Sequence, residues 1–200
     1  MSNDAEAPKH ATTSTSTKAL IGVLLAGTVG VIIFLFVHLS GSSTPTIGAK
    51  SAAAACTKGE QCLPDVNYID TNGNAYTKAS FAGKVVIINF WATWCKPCEH
   101  EIPDLSRVYE QYKQRGVVML GVLSSDNADN ASLLNFQSDH MMTYPVVRET
   151  SDILASYGYP RNLPTTFIFD RGGRQVYNHV GSLNESKLHD ILDPLVAQKI

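Results

Sequence analysis

The sequence predicts an α/β fold, a sheet covered by helices on both faces. Three observations carry that prediction. Residues 85–90 (VVIINF) and 117–123 (VVMLGVL) are short, continuously apolar runs, as in strands buried on both sides. A segment with helical spacing separates them. Further on, a strand, a glycine turn and a second strand precede a last amphipathic segment.

The first helix is expected over residues 95–115. Ile102, Leu105, Val108, Tyr109 and Tyr112 share one face, Pro103 should kink it, and Gly116 suits its end. Residues 129–140 have a weaker helical pattern, with Asp129 or Asn130 as cap. Residues 144–147 read as a short strand, and 151–157 as a short helix capped by Ser151. Residues 165–170 and 174–180 form a hairpin across Arg171–Gly172–Gly173. Ser182 with Glu185 three residues on has the form of a capping box, opening a last helix with Leu183, Leu188, Ile191, Leu192 and Leu195 on its apolar side.

The chain divides by composition. Residues 1–19 are polar and read as a cytoplasmic tail. From Leu20 to Leu39, twenty residues carry no Lys, Arg, Asp or Glu. At about 1.5 Å per residue the run spans roughly 30 Å, the hydrocarbon thickness of a bilayer. It is longer than the apolar region of a cleaved signal peptide, so an uncleaved anchor is expected. Lys9 and Lys18 precede the run, which orients the N-terminus inward. Residues 40–55 read as a linker. Residues 56–200 remain as one outer domain, with 13 Lys and Arg against 16 Asp and Glu. No clustered positive field suits a nucleic acid.

Cysteine usage agrees with an oxidising compartment: Cys56, Cys62, Cys95 and Cys98 form two close pairs. Cys95 and Cys98 sit where a buried strand becomes a helix. There the helix dipole and free N–H groups favour a thiolate, and the spacing lets the second cysteine attack a mixed disulfide made by the first. Pro97 fixes a backbone angle suited to the first helical turn. Lys96, a cation between the two, is expected to favour the thiolate further. A zinc site needs four ligands, and the five-residue gap between Cys56 and Cys62 does not fit its spacing. That loop is short enough to close as a structural disulfide. A second redox pair is the alternative.

Trp91-Ala92-Thr93-Trp94-Cys95-Lys96-Pro97-Cys98, Glu101-Ile102-Pro103 and the later Leu163-Pro164-Thr165-Thr166-Phe167 resemble the TlpA/ResA group of membrane-anchored thioredoxin-like proteins. The resemblance covers about residues 62–198. It implies a thioredoxin-like fold, a central mixed sheet flanked by helices, behind the anchor. It implies a protein disulfide oxidoreductase outside the cytoplasm, in the bacterial inner membrane, with no cofactor. By position, Cys95 is the nucleophile, Cys98 the resolving cysteine, Trp94 a neighbour of the pair and Pro164 a cis-proline. The implied partners are protein disulfides, such as those of apocytochrome c or copper-site cysteines, and a membrane electron donor. Asn89 stands where thioredoxin has a buried aspartate. Glu101 either replaces that group near the disulfide or lies solvated in the first helical turn. Glu99 and His100 are expected to be exposed.

Two other activities use related residues. A copper chaperone of the assembly type has three residues between its cysteines and a distal histidine; here two intervene, though His100 and His179 are available. A thiol peroxidase has Pro and Thr ahead of one attacking cysteine; Thr93 is present, but no proline precedes Cys95.

Overall fold

A computed structural model describes Phe34, residues 56–57 and residues 59–198. The expected tail, membrane span and linker therefore lie outside the described residues, Phe34 apart. Among the described residues no helix is long and apolar enough to cross a membrane.

The described domain is built on a five-stranded mixed sheet. In chain order its strands are β3 (Val85–Trp91), β4 (Val117–Leu123), β5 (Val146–Arg148), β6 (Thr165–Phe169) and β7 (Gln175–Val180), after a two-stranded hairpin of β1 (Tyr68–Ile69) and β2 (Ala75–Tyr76). The spatial order is β5-β4-β3-β6-β7. β3, β4 and β5 run parallel; β6 and β7 run antiparallel to their neighbours. The helices are α1 (Lys96–Tyr112), α2 (Asn130–Asp139), α3 (Ser151–Ser156) and α4 (Glu185–Ala197).

Side-chain alternation along β3 sorts the core into two layers. Val85, Ile87 and Trp91 pack with Ile102, Leu105 and Val108 of α1, Leu133 of α2 and Leu188, Leu192 and Leu195 of α4. Val86, Ile88 and Phe90 pack on the other side with Tyr68, Phe81, Ile153, Tyr157 and Phe169. Asn89 shares the first face, so a polar group is buried beneath α1.

Several boundaries differ from the sequence reading. The first helix ends at Tyr112, and a 3-10 turn (Lys113–Arg115) leads to Gly116, whose φ of 86° is the left-handed conformation expected there. α1 continues through Pro103. The short strand begins at Val146, not at residue 144. Thr150, not Ser151, caps α3 by accepting from the Ile153 N–H. The last helix is capped by Asn184, which accepts from the Lys187 N–H. Ser182 instead donates from Oγ to the Pro97 carbonyl at 2.9 Å, tying the segment before α4 to the first turn of α1. The β1–β2 hairpin has no counterpart in the sequence reading. It lies along β5, where Thr71 N–H donates to the Val146 carbonyl at 2.9 Å.

Candidate active site

The site forms where β3 ends and α1 begins. Cys95 is the N-cap of α1, with an extended backbone, and its sulfur accepts from the Cys98 N–H at 3.3 Å. A group at this position faces the free N–H groups of the first turn and the positive end of the helix dipole. Cys95 and Cys98 are joined as a disulfide with Cα atoms 5.2 Å apart. Cys98 is fully buried and Cys95 almost so.

One turn further, Glu101 is also buried, only 2% exposed. Its carboxylate accepts from Asn89 Nδ2 at 2.8 Å and from the Leu183 N–H at 2.9 Å. Asn89 Nδ2 also donates to Thr166 Oγ1 at 3.0 Å. Burial pushes the Glu101 pKa up to about 7 from 4.5, against the pull of these two donors on the charged form. Tyr144 is buried on the same side, and burial and then the Glu101 charge raise its pKa well above 10. The solvated reading of Glu101 is thus replaced by one of a carboxyl held in the core that exchanges a proton near neutral pH.

The approach to Cys95 is held from β4. Asp126 accepts from the Thr93 N–H at 2.6 Å and from Thr93 Oγ1 at 2.7 Å. The Trp94 indole donates to the Ser125 carbonyl at 3.0 Å, while 61% of Trp94 stays exposed. Ser125 adopts a φ of 54°, a left-handed conformation uncommon outside glycine. The sequence alone marked neither Ser125 nor Asp126, because their role depends on the β4 terminus meeting the β3–α1 turn.

The remaining residues fall on either side of this centre. The Lys96 ammonium turns away onto Glu99, 3.0 Å from both carboxylate oxygens, with its side chain 79% exposed. Glu99 is half-buried rather than exposed and lies 3.9 Å from His140 Nε2. The Leu163–Pro164 bond is cis and Pro164 is buried. Thr165 pairs with Phe90, which places Pro164 at the same end of the sheet as the β3–α1 turn. Cys56 and Cys62 form a second disulfide, with Cα atoms 5.7 Å apart. The β-bridge between Cys62 and Arg174 sets it at the start of β7, the end of the sheet away from Cys95. His100 is exposed on α1 and His179 lies on β7. Among the described residues no group of three or more His, Cys, Asp or Glu is placed to hold a metal.

Residues 60–177 match the AhpC/TSA family. The thiol-disulfide oxidoreductase ResA of Bacillus subtilis (strain 168) is 34% identical over 125 residues, which are 62% of this chain and 68% of that protein. The chain belongs to the ResA/TlpA-like thiol–disulfide oxidoreductases. ResA of Bacillus anthracis gives the same identity over 130 residues, 64% of this chain and 73% of its own length. A solved thiol:disulfide interchange protein of Chlorobium tepidum TLS superposes with a TM-score of 0.61 at 27% identity, covering 70% of this chain and 99% of that one. Thiol–disulfide exchange is therefore the chemistry of this ResA-like chain, and protein thiols and disulfides are its substrate class.

Proposed function

We propose that this ResA-like protein is a membrane-tethered reductase of partner-protein disulfides outside the cytoplasm, working through Cys95 and Cys98. In the reduced form the Cys95 thiolate attacks one sulfur of a substrate disulfide. The other substrate sulfur leaves as a thiolate and takes a proton. Cys98 gives its proton to the Glu101 carboxylate and attacks Cys95 Sγ. The second substrate thiolate leaves, and Cys95–Cys98 becomes the disulfide. Two electrons have passed to the substrate, and a membrane electron donor returns the pair to the dithiol. The apolar run of residues 20–39 supports the tether. The family resemblance supports cysteine pairs of the apocytochrome c or copper-site kind as substrates.

The observation that carries the proposal is the stacking of functions along one helix start. A sulfur caps α1, its partner is buried behind it, and a carboxyl titrating near neutrality lies one turn below. Trp94, Pro97 and Pro164 frame this end of the sheet.

The test is a trap in intact cells. Cys98→Ser removes the resolving sulfur and leaves a hydroxyl of similar size, so mixed disulfides accumulate on Cys95. An impermeant maleimide added before lysis labels the remaining free Cys95. Mass spectrometry identifies the trapped partner. Trapping by Cys62→Ser but not by Cys98→Ser refutes the assignment, and labelling of Cys95 only after lysis refutes the topology.

A further inference from the structure

Residues 181–185 lead from β7 into α4 as a strap across the active-site end of the sheet. Gly181, with a φ of 114°, turns the chain off β7, and its N–H donates to the Pro164 carbonyl at 2.8 Å. Ser182 Oγ donates to the Pro97 carbonyl at 2.9 Å, and Leu183 N–H to the Glu101 carboxylate at 2.9 Å. Glu185 N–H donates to Asp104 Oδ2 at 3.1 Å. Pro97, Glu101 and Asp104 are spaced by four and then three residues, so the strap follows one stripe of α1.

Leu183 is buried, and its N–H is one of two donors that favour ionised Glu101 against the cost of burial. The bonds on either side of it fix the backbone. Ser182 is exposed, and its hydroxyl holds the carbonyl of Pro97, between the two cysteines. Asp104 Oδ1 is engaged by Arg107, which leaves Oδ2 for the Glu185 N–H. Arg107 also meets Glu185 Oε2 at 2.9 Å, at the exposed end of the strap. Around Glu101 itself, β3 and β6 present the uncharged Asn89 and Thr166, Tyr144 lies ahead of β5, and Cys98 sits one turn back on α1.

We propose that Ser182 and Asp104 are positioning residues for proton exchange at Glu101: they fix the backbone on both sides of Leu183 and so keep its N–H on the carboxylate. With that donor loosened, Asn89 alone would hold the charge in a buried site. Glu101 would then keep its proton at neutral pH and could not accept another. This role rests on the reading of Glu101 as acceptor of the Cys98 proton. Outright loss of a hydrogen bond to a charged group raises a carboxyl pKa by roughly one to two units. The Leu183 side chain stays in the core, so removing one of the two fixings weakens the bond rather than breaking it.

The test is the titration of Glu101 in the full, oxidised chain in detergent, with glutamate carboxyls labelled by carbon-13 and read by NMR. Glu101→Gln identifies the signal. The midpoint is expected to rise by about half a pH unit in Ser182→Ala and in Asp104→Ala, and by about one unit in the double variant. Removing the Asp104 charge would by itself lower the midpoint, so a rise comes from the lost acceptor. Ser182→Thr and Asp104→Asn keep the hydroxyl and the acceptor oxygen, and are expected to return the midpoint to the parent value or below. An unmoved midpoint in the double variant overturns the proposal. So does a rise that the threonine and asparagine variants fail to reverse. The inflection in the exchange rate of the reduced protein should move with the carboxyl. A carboxyl that moves while the rate inflection stays leaves the positioning role standing and refutes Glu101 as the acceptor of the Cys98 proton.

Discussion

Replacing Glu101 by glutamine keeps the shape of a buried side chain and removes its charge. The rise in pKa from 4.5 to about 7 corresponds to about 3 kcal/mol disfavouring the ionised form in the folded chain. The native state holds its proton more tightly than the unfolded chain, so native stability falls as pH rises between 4.5 and about 7, and the full cost is present above that window. The uncharged amide of the Glu101→Gln variant avoids this cost. Its oxygen still accepts from the Leu183 N–H, but its NH2 group faces Asn89 Nδ2. A flip of Asn89 brings its Oδ1, which has no hydrogen-bond partner, toward the new donor. A neutral acceptor is weaker than a carboxylate, which offsets part of the gain. The expected net effect is about 1–2 kcal/mol of added stability above pH 7 and little change near pH 4.5. Urea unfolding of the oxidised protein at the two pH values measures it. Reduced protein should also lose an inflection near pH 7 in its rate of disulfide exchange. Parallel stability–pH curves for Glu101→Gln and the parent would show that another group titrates there.

The other predictions concern packing and surface charge. A Cβ on Gly121 would stand 2.9 Å from both Trp91 Nε1 and Tyr144 Cε2, so Gly121→Ala should destabilise the domain by about 1–3 kcal/mol, read from the urea midpoint. Lys96 is exposed and paired with Glu99, so Lys96→Ala should change the exchange rate at neutral pH by less than about fivefold; a larger change would mean that its field reaches Cys95 unscreened.

The central part of the fold was legible because its signals were strong and local. The runs forming β3 and β4 are apolar at nearly every position, and α1 between them repeats its apolar residues at helical spacing. The position of Glu101 was legible too, though read two ways. It lies three residues after Cys98 and four before Leu105, on the stripe that α1 buries. Helix caps were harder. Ser182 and Asn184 are both able to cap α4, and a tertiary contact decides between them: Ser182 Oγ is occupied by the Pro97 carbonyl. The β1–β2 hairpin has two-residue strands, too short for any periodicity, and exists because Asp70 gathers the N–H groups of Asn72 and Asn74 and the edge of β5 receives Thr71. Asp126 carried no signal, since its partner Thr93 is 33 residues away and meets it only once β3 and β4 are paired.

The placement of the Cys56–Cys62 ring has a mechanical consequence. Tension on the chain upstream of Cys56 passes through the S–S bond directly to Cys62, bypassing residues 57–61. From there it reaches Leu63 and its backbone bond to Gly173, in the turn just before β7. Along the chain, the hairpin of β1 and β2 follows Leu63 and precedes β3, so the bonds at this margin and those of the hairpin carry the load before the strand that leads to Cys95. A domain pulled from its N-terminal side would thus yield first at its rim, with the geometry of the Cys95–Cys98 pair still intact.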